Sequence, residues 1–527
     1  MRALISVANR EGLPRLAQEL ESLHVSLFST RDTLKALQAA GVTATPVEEL
    51  TGFPDILEGR VKLLHPALLG AVLARRDRPR HEEDLRVHHI EPVDVVVVNF
   101  PPFLTEEETP LADAMEQLDI GGETLLRAAA SNFEDVLVLI RPEDYVPVLQ
   151  EWREQGEVSL ETRRRLAAIA FYYLASYDSA LASYLHTSSD ELFPSIVTMS
   201  AQRVRNLRYG ENPHQQAALY RWPSSHKPGH VRGEATLARA EILQGGELSY
   251  NNMLDLDTAL EAARAFTVPA VAIIKHTNPC GLACGDSLLD AYQQAHAGDP
   301  ISASGGIVGC NREVDGDTAH ELSQLFFEAV LAPAFSREAR SILRAKPEMR
   351  LLATRAPLEP RKRATHSLKL DHRPAHPLDV RSISGGLLLQ TPDLFGEQEV
   401  EYTVVTERDP NLEEVTDLMF AWKAVRLVKS NAIVLAHKLA LIGVGAGQMN
   451  RLASVQLALE KAGSRARGSV LAADAYFPFA DAVEAAARAG ITAIIQPGGA
   501  ARDDDVIQAA NSYAIAMVFT GKRHYRH

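Results

Sequence analysis

Ala270-Val-Ala-Ile-Ile-Lys275-His276-Thr-Asn-Pro-Cys-Gly281 places a lysine and a histidine directly after five apolar residues. A short apolar run bounded by turn residues reads as a buried strand, and Asn-Pro-Cys-Gly reads as the turn that ends it. The two basic side chains then stand where a strand leaves the core. Burial disfavours the charged form of either group, and adjacent cations disfavour each other. A histidine held neutral can take a proton, and a nearby cation stabilises developing negative charge. The plainer alternative is a strand end with a solvated lysine and a hydrogen-bonded histidine.

Strand and helix alternate on both sides of this stretch. Residues 2–8 read as a strand, Leu13 to Leu23 as a helix, Val25 to Phe28 as a strand and Leu34 to Ala40 as a helix. Val93–Val98 and Val136–Ile140 read as further strands. Such alternation implies βαβ units around a parallel sheet, with ligands at the carboxyl ends of strands. Glu161 to Tyr184 reads as a long helical connector, and the pattern restarts near Pro194. The expected division is 1–194 and 195–527. In the second part Val271–Ile274, Ile433–Ala436, Leu441–Val444 and Ala493–Ile495 read as strands. Asp257–Phe266, Thr318–Glu328 and Asp481–Ala489 read as helices. Residues 337–380, rich in Arg, Lys and Pro, read as an irregular surface segment with room for one strand.

At 527 residues and a formal charge of −14, the chain exceeds a single core and carries no long basic run. Nucleic acid is therefore not an expected partner, and Arg361-Lys362-Arg363 reads as solvated surface. Three cysteines, Cys280, Cys284 and Cys310, make no disulfide framework and point to a reducing, cytoplasmic setting. Cys280 and Cys284 lack a second ligand pair, so no metal is expected. The amino-terminal run turns polar too soon for a secretory signal, and no apolar run reaches the ~18 residues of a membrane helix.

Further motifs join Lys275-His276. They are Leu207-Arg-Tyr-Gly-Glu-Asn-Pro-His-Gln215, Leu248-Ser-Tyr-Asn-Asn252, Ser430-Asn431-Ala-Ile, Ile442-Gly-Val-Gly-Ala-Gly-Gln-Met-Asn-Arg451, Asp474-Ala-Tyr-Phe-Pro-Phe479, Gln496-Pro-Gly-Gly499 and Thr520-Gly-Lys-Arg-His-Tyr-Arg-His527. In this order they resemble the bifunctional purine biosynthesis protein family, which joins an IMP cyclohydrolase to an AICAR transformylase. The resemblance covers essentially the whole chain. It implies an α/β fold: a methylglyoxal-synthase-like parallel-sheet domain, then a larger, duplicated cytidine-deaminase-like transformylase region. The zinc ligands of true deaminases are missing, which argues against deamination.

The resemblance implies formyl transfer from the cosubstrate 10-formyltetrahydrofolate to the amine of AICAR, giving FAICAR. In that reaction His276 suits a general base, Lys275 stabilises the tetrahedral intermediate, and Asn431 offers amide donors to the formyl oxygen. Arg208, Tyr209 and Arg523 match nucleotide-holding positions, where a guanidinium binds phosphate bidentately. Asn252 and Asp474 match polar positions around the substrates, and His214 reads as structural. The glycines of Gly443-Val-Gly-Ala-Gly447 read as permitting tight packing near the folate. A homodimer that shares its site, and a monovalent cation near Ser430, are further implications.

For ring closure of FAICAR, Gly59-Arg60-Val61-Lys62 and Leu64-His65-Pro66 match a phosphate and catalytic loop, and Asp119-Ile-Gly-Gly122 an acidic site. Lys62 and Asp119 form the expected acid–base pair, Arg60 a substrate contact, and Asn99 and Arg127 also match. Four departures weaken this second activity. Ala8-Asn-Arg-Glu-Gly12 replaces a Ser-Asp-Lys-Thr-Gly loop, and Arg31-Asp32 replaces a glycine pair where Asp32 would repel phosphate. Pro101 replaces a tyrosine, and Ser131 a lysine. A transformylase with an inactive first domain, and a nucleotide-sensing scaffold, are the competing readings.

Overall fold

The computed structural model describes residues 1–101, 103, 110–186, 192–222, 235–360, 378–393 and 400–527. The chain divides into two compact units, Met1–Ala201 with Trp222–Lys227, and Gln202–Arg221 with Pro228–His527.

In the first unit, β1 (Arg2–Val7), β2 (Ser26–Ser29), β3 (Thr45–Pro46), β4 (Val95–Asn99) and β5 (Leu137–Leu139) form a parallel sheet in the order β3-β2-β1-β4-β5. All of β4 is buried, as expected for a strand covered on both faces. The helix Leu13–Ser22 buries Leu13, Leu16, Ala17 and Leu20, one stripe at helical spacing. The helix Leu160–His186 matches the expected connector and packs on the helix Ile120–Ser131. The latter starts at Asp119, whose Oδ1 accepts the Gly122 N–H at 2.8 Å as an N-cap.

The second unit begins with a hairpin of β6 (Gln202–Leu207) and β7 (Ala217–Arg221). Next come β8 (Glu241–Gln244), β9 (Ala270–Lys275), β10 (Asn278–Cys284), β11 (Ile307–Cys310), β12 (Ala329–Ala332) and β13 (Arg350–Ala353). A small hairpin joins β14 (Asp379–Ile383) to β15 (Gly386–Gln390). Then follow β16 (Thr403–Val404), β17 (Ile433–His437), β18 (Ala440–Gly445), β19 (Val470–Ala473), β20 (Ala493–Gln496) and β21 (Ala516–Phe519). The large mixed sheet runs β16-β21-β20-β19-β17-β18-β10-β9-β11-β12-β13-β8. Its order mirrors itself about the β18–β10 junction, where Ala440 faces Ala283, so the unit is a duplication. Gly281 and Gly443 occupy matching strand positions. A Cβ at either would collide with a helix carbonyl, Ala295 or Ala458.

Two expectations are corrected. Asn278-Pro-Cys-Gly281 is not a turn but the start of β10, and Lys275 faces Asn278 across the hairpin. The turn is His276-Thr277, with φ of 53° and 59°, the two left-handed residues of a two-residue hairpin loop. Residues 337–360 are also more regular than expected, containing the helix Arg337–Leu343 and the sheet strand β13. Arg361-Lys362-Arg363 lies outside the described residues. Among the described residues, no helix is long and apolar enough to cross a membrane.

Candidate active sites

The β9–β10 turn is held from the preceding helix, Tyr250–Arg264. Asp255 Oδ1 accepts the Thr277 N–H at 2.6 Å. Burial raises the Asp255 carboxyl above its ordinary value, and hydrogen bonds from the Thr277 and His276 backbones oppose that rise. Lys275 and His276 are not buried as expected: His276 is exposed and Lys275 half-buried. The Lys275 ammonium donates to the Ser304 carbonyl at 2.8 Å, which fixes where its charge stands. His276 is thus presented on a rigid tip rather than held in a core.

Asn278, read from sequence as part of a turn, is the connector. Its Nδ2 donates to the His276 carbonyl at 2.9 Å, and its Oδ1 accepts the Lys429 N–H at 3.0 Å. The turn is thereby joined to Ser430-Asn431, which are linked by a cis peptide. Asn431 is oriented on both sides of its amide. Nδ2 donates to Gln448 O at 2.8 Å, and Oδ1 accepts from Arg451 Nη2 at 2.9 Å. Among the described residues the second Nδ2 hydrogen has no acceptor.

Asp474 is turned into the protein interior. Its side chain is fully buried, with Oδ1 on Arg451 Nη1 at 2.6 Å and Oδ2 accepting from the Ser430 hydroxyl. Arg451 therefore links Asp474 to Asn431, and the pair braces the Ser430-Asn431 loop. Asn252 likewise has a local task, since its Oδ1 accepts the Ser249 N–H at 3.0 Å in a capping box. The motif around Arg208 and Tyr209 packs onto that helix start. Arg208 N–H donates to Leu248 O at 2.9 Å, and Tyr250 N–H to Tyr209 O at 3.1 Å. Both Arg208 and Arg523 are exposed, over the rings of Tyr209 and Tyr525. The tail bearing Arg523 is anchored by its neighbours: His524 N–H donates to Asp474 O at 2.9 Å, and Arg526 O accepts the Ser430 N–H at 3.0 Å. His276, Asn431 and the Arg523 tail are thus connected by hydrogen bonds through Asn278, Ser430 and Asp474.

In the first unit Asn99 organises the loop Ala8–Gly12. Its Oδ1 accepts the Ala8 and Asn9 N–H groups at 2.9 and 2.8 Å, so it is spent on the backbone. Lys62 is half-buried beside Gly59, with Asp55 on the same side. Arg60 pairs with Glu116 at 2.9 Å and Arg127 with Asp178 at 3.3 Å, both on the surface. Asp32 lies in the first turn of the helix Arg31–Ala39 with its carboxylate 80% exposed, 3.8 Å from Lys35. It therefore turns outward instead of opposing an anion. Arg31 turns toward the half-buried Asp55, at 3.4 Å. Ser131 closes its helix by donating to Ala128 O at 2.8 Å, and Pro101 is exposed. Next to Pro101, the Tyr173 hydroxyl donates to the Phe100 carbonyl. Sequence reasoning missed Glu123, whose carboxyl is pushed up to about 7, first by burial and then by Asp178. Its only sequence signal was an acid one turn after Asp119.

Fold and sites together define a two-unit α/β protein, with a lysine–histidine tip in one unit and a lysine–carboxylate loop in the other. The family described as AICARFT/IMPCHase bienzyme matches residues 129–461, and the MGS-like domain matches residues 12–124. The chain is 46% identical, over all of its length and 99% of the relative, to Bifunctional purine biosynthesis protein PurH of Halalkalibacterium halodurans. The proteins of that name from Anoxybacillus flavithermus and Bacillus subtilis are 46% and 45% identical over the same shares. The chain belongs to the AICARFT/IMPCHase bienzyme family, and is a bifunctional enzyme of purine biosynthesis.

Proposed function

We propose that the lysine–histidine tip carries formyl transfer and the first unit carries ring closure. In the first reaction the AICAR amine attacks the formyl carbon of 10-formyltetrahydrofolate. His276 takes the amine proton, and Lys275 with the free Asn431 N–H stabilises the oxyanion of the tetrahedral adduct. The adduct collapses, and the folate nitrogen leaves with a proton supplied from the Lys275 side. The products are FAICAR and tetrahydrofolate. Arg208, Tyr209 and Arg523 supply the phosphate and base contacts. The observation that carries this reading is the Asn278 bridge, which joins the His276 carbonyl to the loop of Asn431.

In the second reaction the carboxamide nitrogen of FAICAR attacks its formyl carbon, and water leaves. Lys62 and Asp119 are the proton-transfer pair, and Arg60 with Arg31 provides positive charge for the phosphate. The outward turn of Asp32 removes the repulsion that the sequence implied. The readings as a monofunctional transformylase and as a scaffold are not favoured by a relation that extends over the full chain.

The testing experiment follows both reactions on the purified protein: AICAR to FAICAR with 10-formyltetrahydrofolate, and FAICAR to IMP without it. Loss of the first activity in Lys275→Ala and of the second in Lys62→Ala, each sparing the other, supports the assignment. Loss of both in either variant overturns the division. A homodimer sharing its transformylase site is part of the proposal. Mixing inactive Lys275→Ala with inactive Arg523→Ala chains restores activity if the two residues serve one site from different subunits.

A further inference from the structure

Glu123 stands one helical turn beyond Asp119, and its backbone N–H donates to the Asp119 carbonyl at 3.0 Å. Its Oε1 is shielded from water and has no hydrogen-bond partner among the described residues. A carboxylate oxygen in that condition is costly, whereas a carboxylic acid is tolerated. Charged and titratable groups face it from two elements. Asp119 and Arg127 lie on its own helix, and Asp178 and Tyr177 on the helix Leu160–His186. The Arg127 guanidinium is already held by Asp178 at 3.3 Å, so it cannot serve Glu123 alone. The Tyr177 side chain lies near Asp119 and Glu123, which places this cluster at the acidic end of the site. The helix Pro66–Leu73 and strands β4 and β5 also pack here and bring no charged side chain.

We infer that Glu123 is a positioning residue of the ring-closure site: as a neutral acid it adds no negative charge beside Asp119, and as an anion it opposes both Asp119 and the phosphorylated substrate. The inference rests on the proposed role of Asp119 in ring closure. Burial and Asp178 bring the Glu123 ionisation to about 7, within the working range of an enzyme. Below that pH Glu123 adds no charge to the site, and above it one negative charge.

The test uses the full chain and measures kcat and KM for FAICAR to IMP from pH 5.5 to 8.5. In the wild type kcat/KM falls roughly threefold to tenfold as pH rises through 7, mainly through KM, since one pK unit of interaction is tenfold. In Glu123→Gln that ionisation disappears, and in Glu123→Asp one remains. An unchanged ionisation in Glu123→Gln overturns the inference. Isotope-edited infrared spectroscopy with carboxyl-labelled glutamate gives a readout independent of turnover. A protonated glutamate band that persists near neutral pH is expected, is absent in Glu123→Gln, and titrates at lower pH in Asp119→Asn. Its absence from the wild type overturns the inference whether or not ring closure is measured. Its presence in a chain that does not close the ring instead overturns the proposed activity of Asp119.

Discussion

The Asp255 carboxylate accepts the Thr277 backbone N–H at 2.6 Å and so fixes the turn that presents His276. Asp417 performs the matching task in the second repeat, accepting the Lys438 and Leu439 N–H groups at 2.8 and 2.7 Å. Those two residues are also left-handed, with φ of 53° and 56°. The strained turn is therefore a device of the duplicated fold, and only the first copy carries Lys275-His276. Bonds to a charged acceptor contribute about 1.5–3 kcal/mol each, so Asp255→Ala and Asp417→Ala both lower the unfolding midpoint. Formyl transfer separates them. Asp255→Ala loses roughly tenfold or more in kcat because a small misplacement at a reacting group is expensive, and Asp417→Ala stays near wild type. Equal kinetic losses in both variants would contradict this.

His276→Ala removes the proton acceptor, and the expected loss of formyl transfer is about a hundredfold to ten-thousandfold. Binding of AICAR, followed by calorimetry, persists because Arg208 and Arg523 remain. Lys275→Arg keeps the charge but replaces a compact ammonium by a planar fork, so it restores binding better than turnover. Near-normal turnover in His276→Ala removes that residue from the mechanism.

Asp474→Ala leaves Arg451 buried without its counter-charge. Removing one member of a buried pair costs about 3–5 kcal/mol, which denaturant unfolding measures directly. Activity falls with it because Asn431 loses its brace. A variant of normal stability whose only defect is a raised KM for AICAR would restore Asp474 as a substrate contact.

Asp32→Ala changes KM for FAICAR by less than about twofold, because a solvated charge facing outward acts weakly. Arg31→Ala raises that KM, since it removes a cation from the loop expected to meet phosphate. A large gain in affinity from Asp32→Ala would show that the carboxylate does reach the ligand.

Glu123 also affects stability. Its folded ionisation, about 7, lies above the 4.5 of an unperturbed glutamate, so the folded chain favours the protonated form. That contribution is fully present below pH 4.5 and is lost as pH rises through 7. Glu123→Gln is therefore as stable as the wild type near the lower limit and more stable at pH 8. Thermal unfolding at the two pH values checks the sign, and a variant less stable at pH 8 contradicts it.

Much of the architecture was legible in local pattern. The apolar runs of β1, β4, β9, β17 and β20 and the helical stripe of Leu13–Ser22 are local properties of the chain, and the α/β class follows from their alternation. The residue types at the β9–β10 tip and its neighbouring loop were legible as well, because Lys275-His276 and Asn431 stand in distinctive motifs. The turn beside them was misplaced. Asn-Pro-Cys-Gly carries strong turn residues, yet cross-strand pairing with β9 and the close approach of Ala295 to Gly281 draw it into β10.

The sequence by itself determined which segments become strands and helices and which residue types could perform acid–base chemistry. Only the tertiary structure decided how those side chains are spent, because burial and hydrogen-bond partners come from residues remote in the chain. It buries Asp474 against Arg451, uses Asn99 on the backbone of Ala8 and Asn9, turns Asp32 to solvent and isolates the Glu123 carboxyl. A motif records the identity of a polar group. Whether that group can meet a substrate depends on which donors, acceptors and charges the fold has already brought to it.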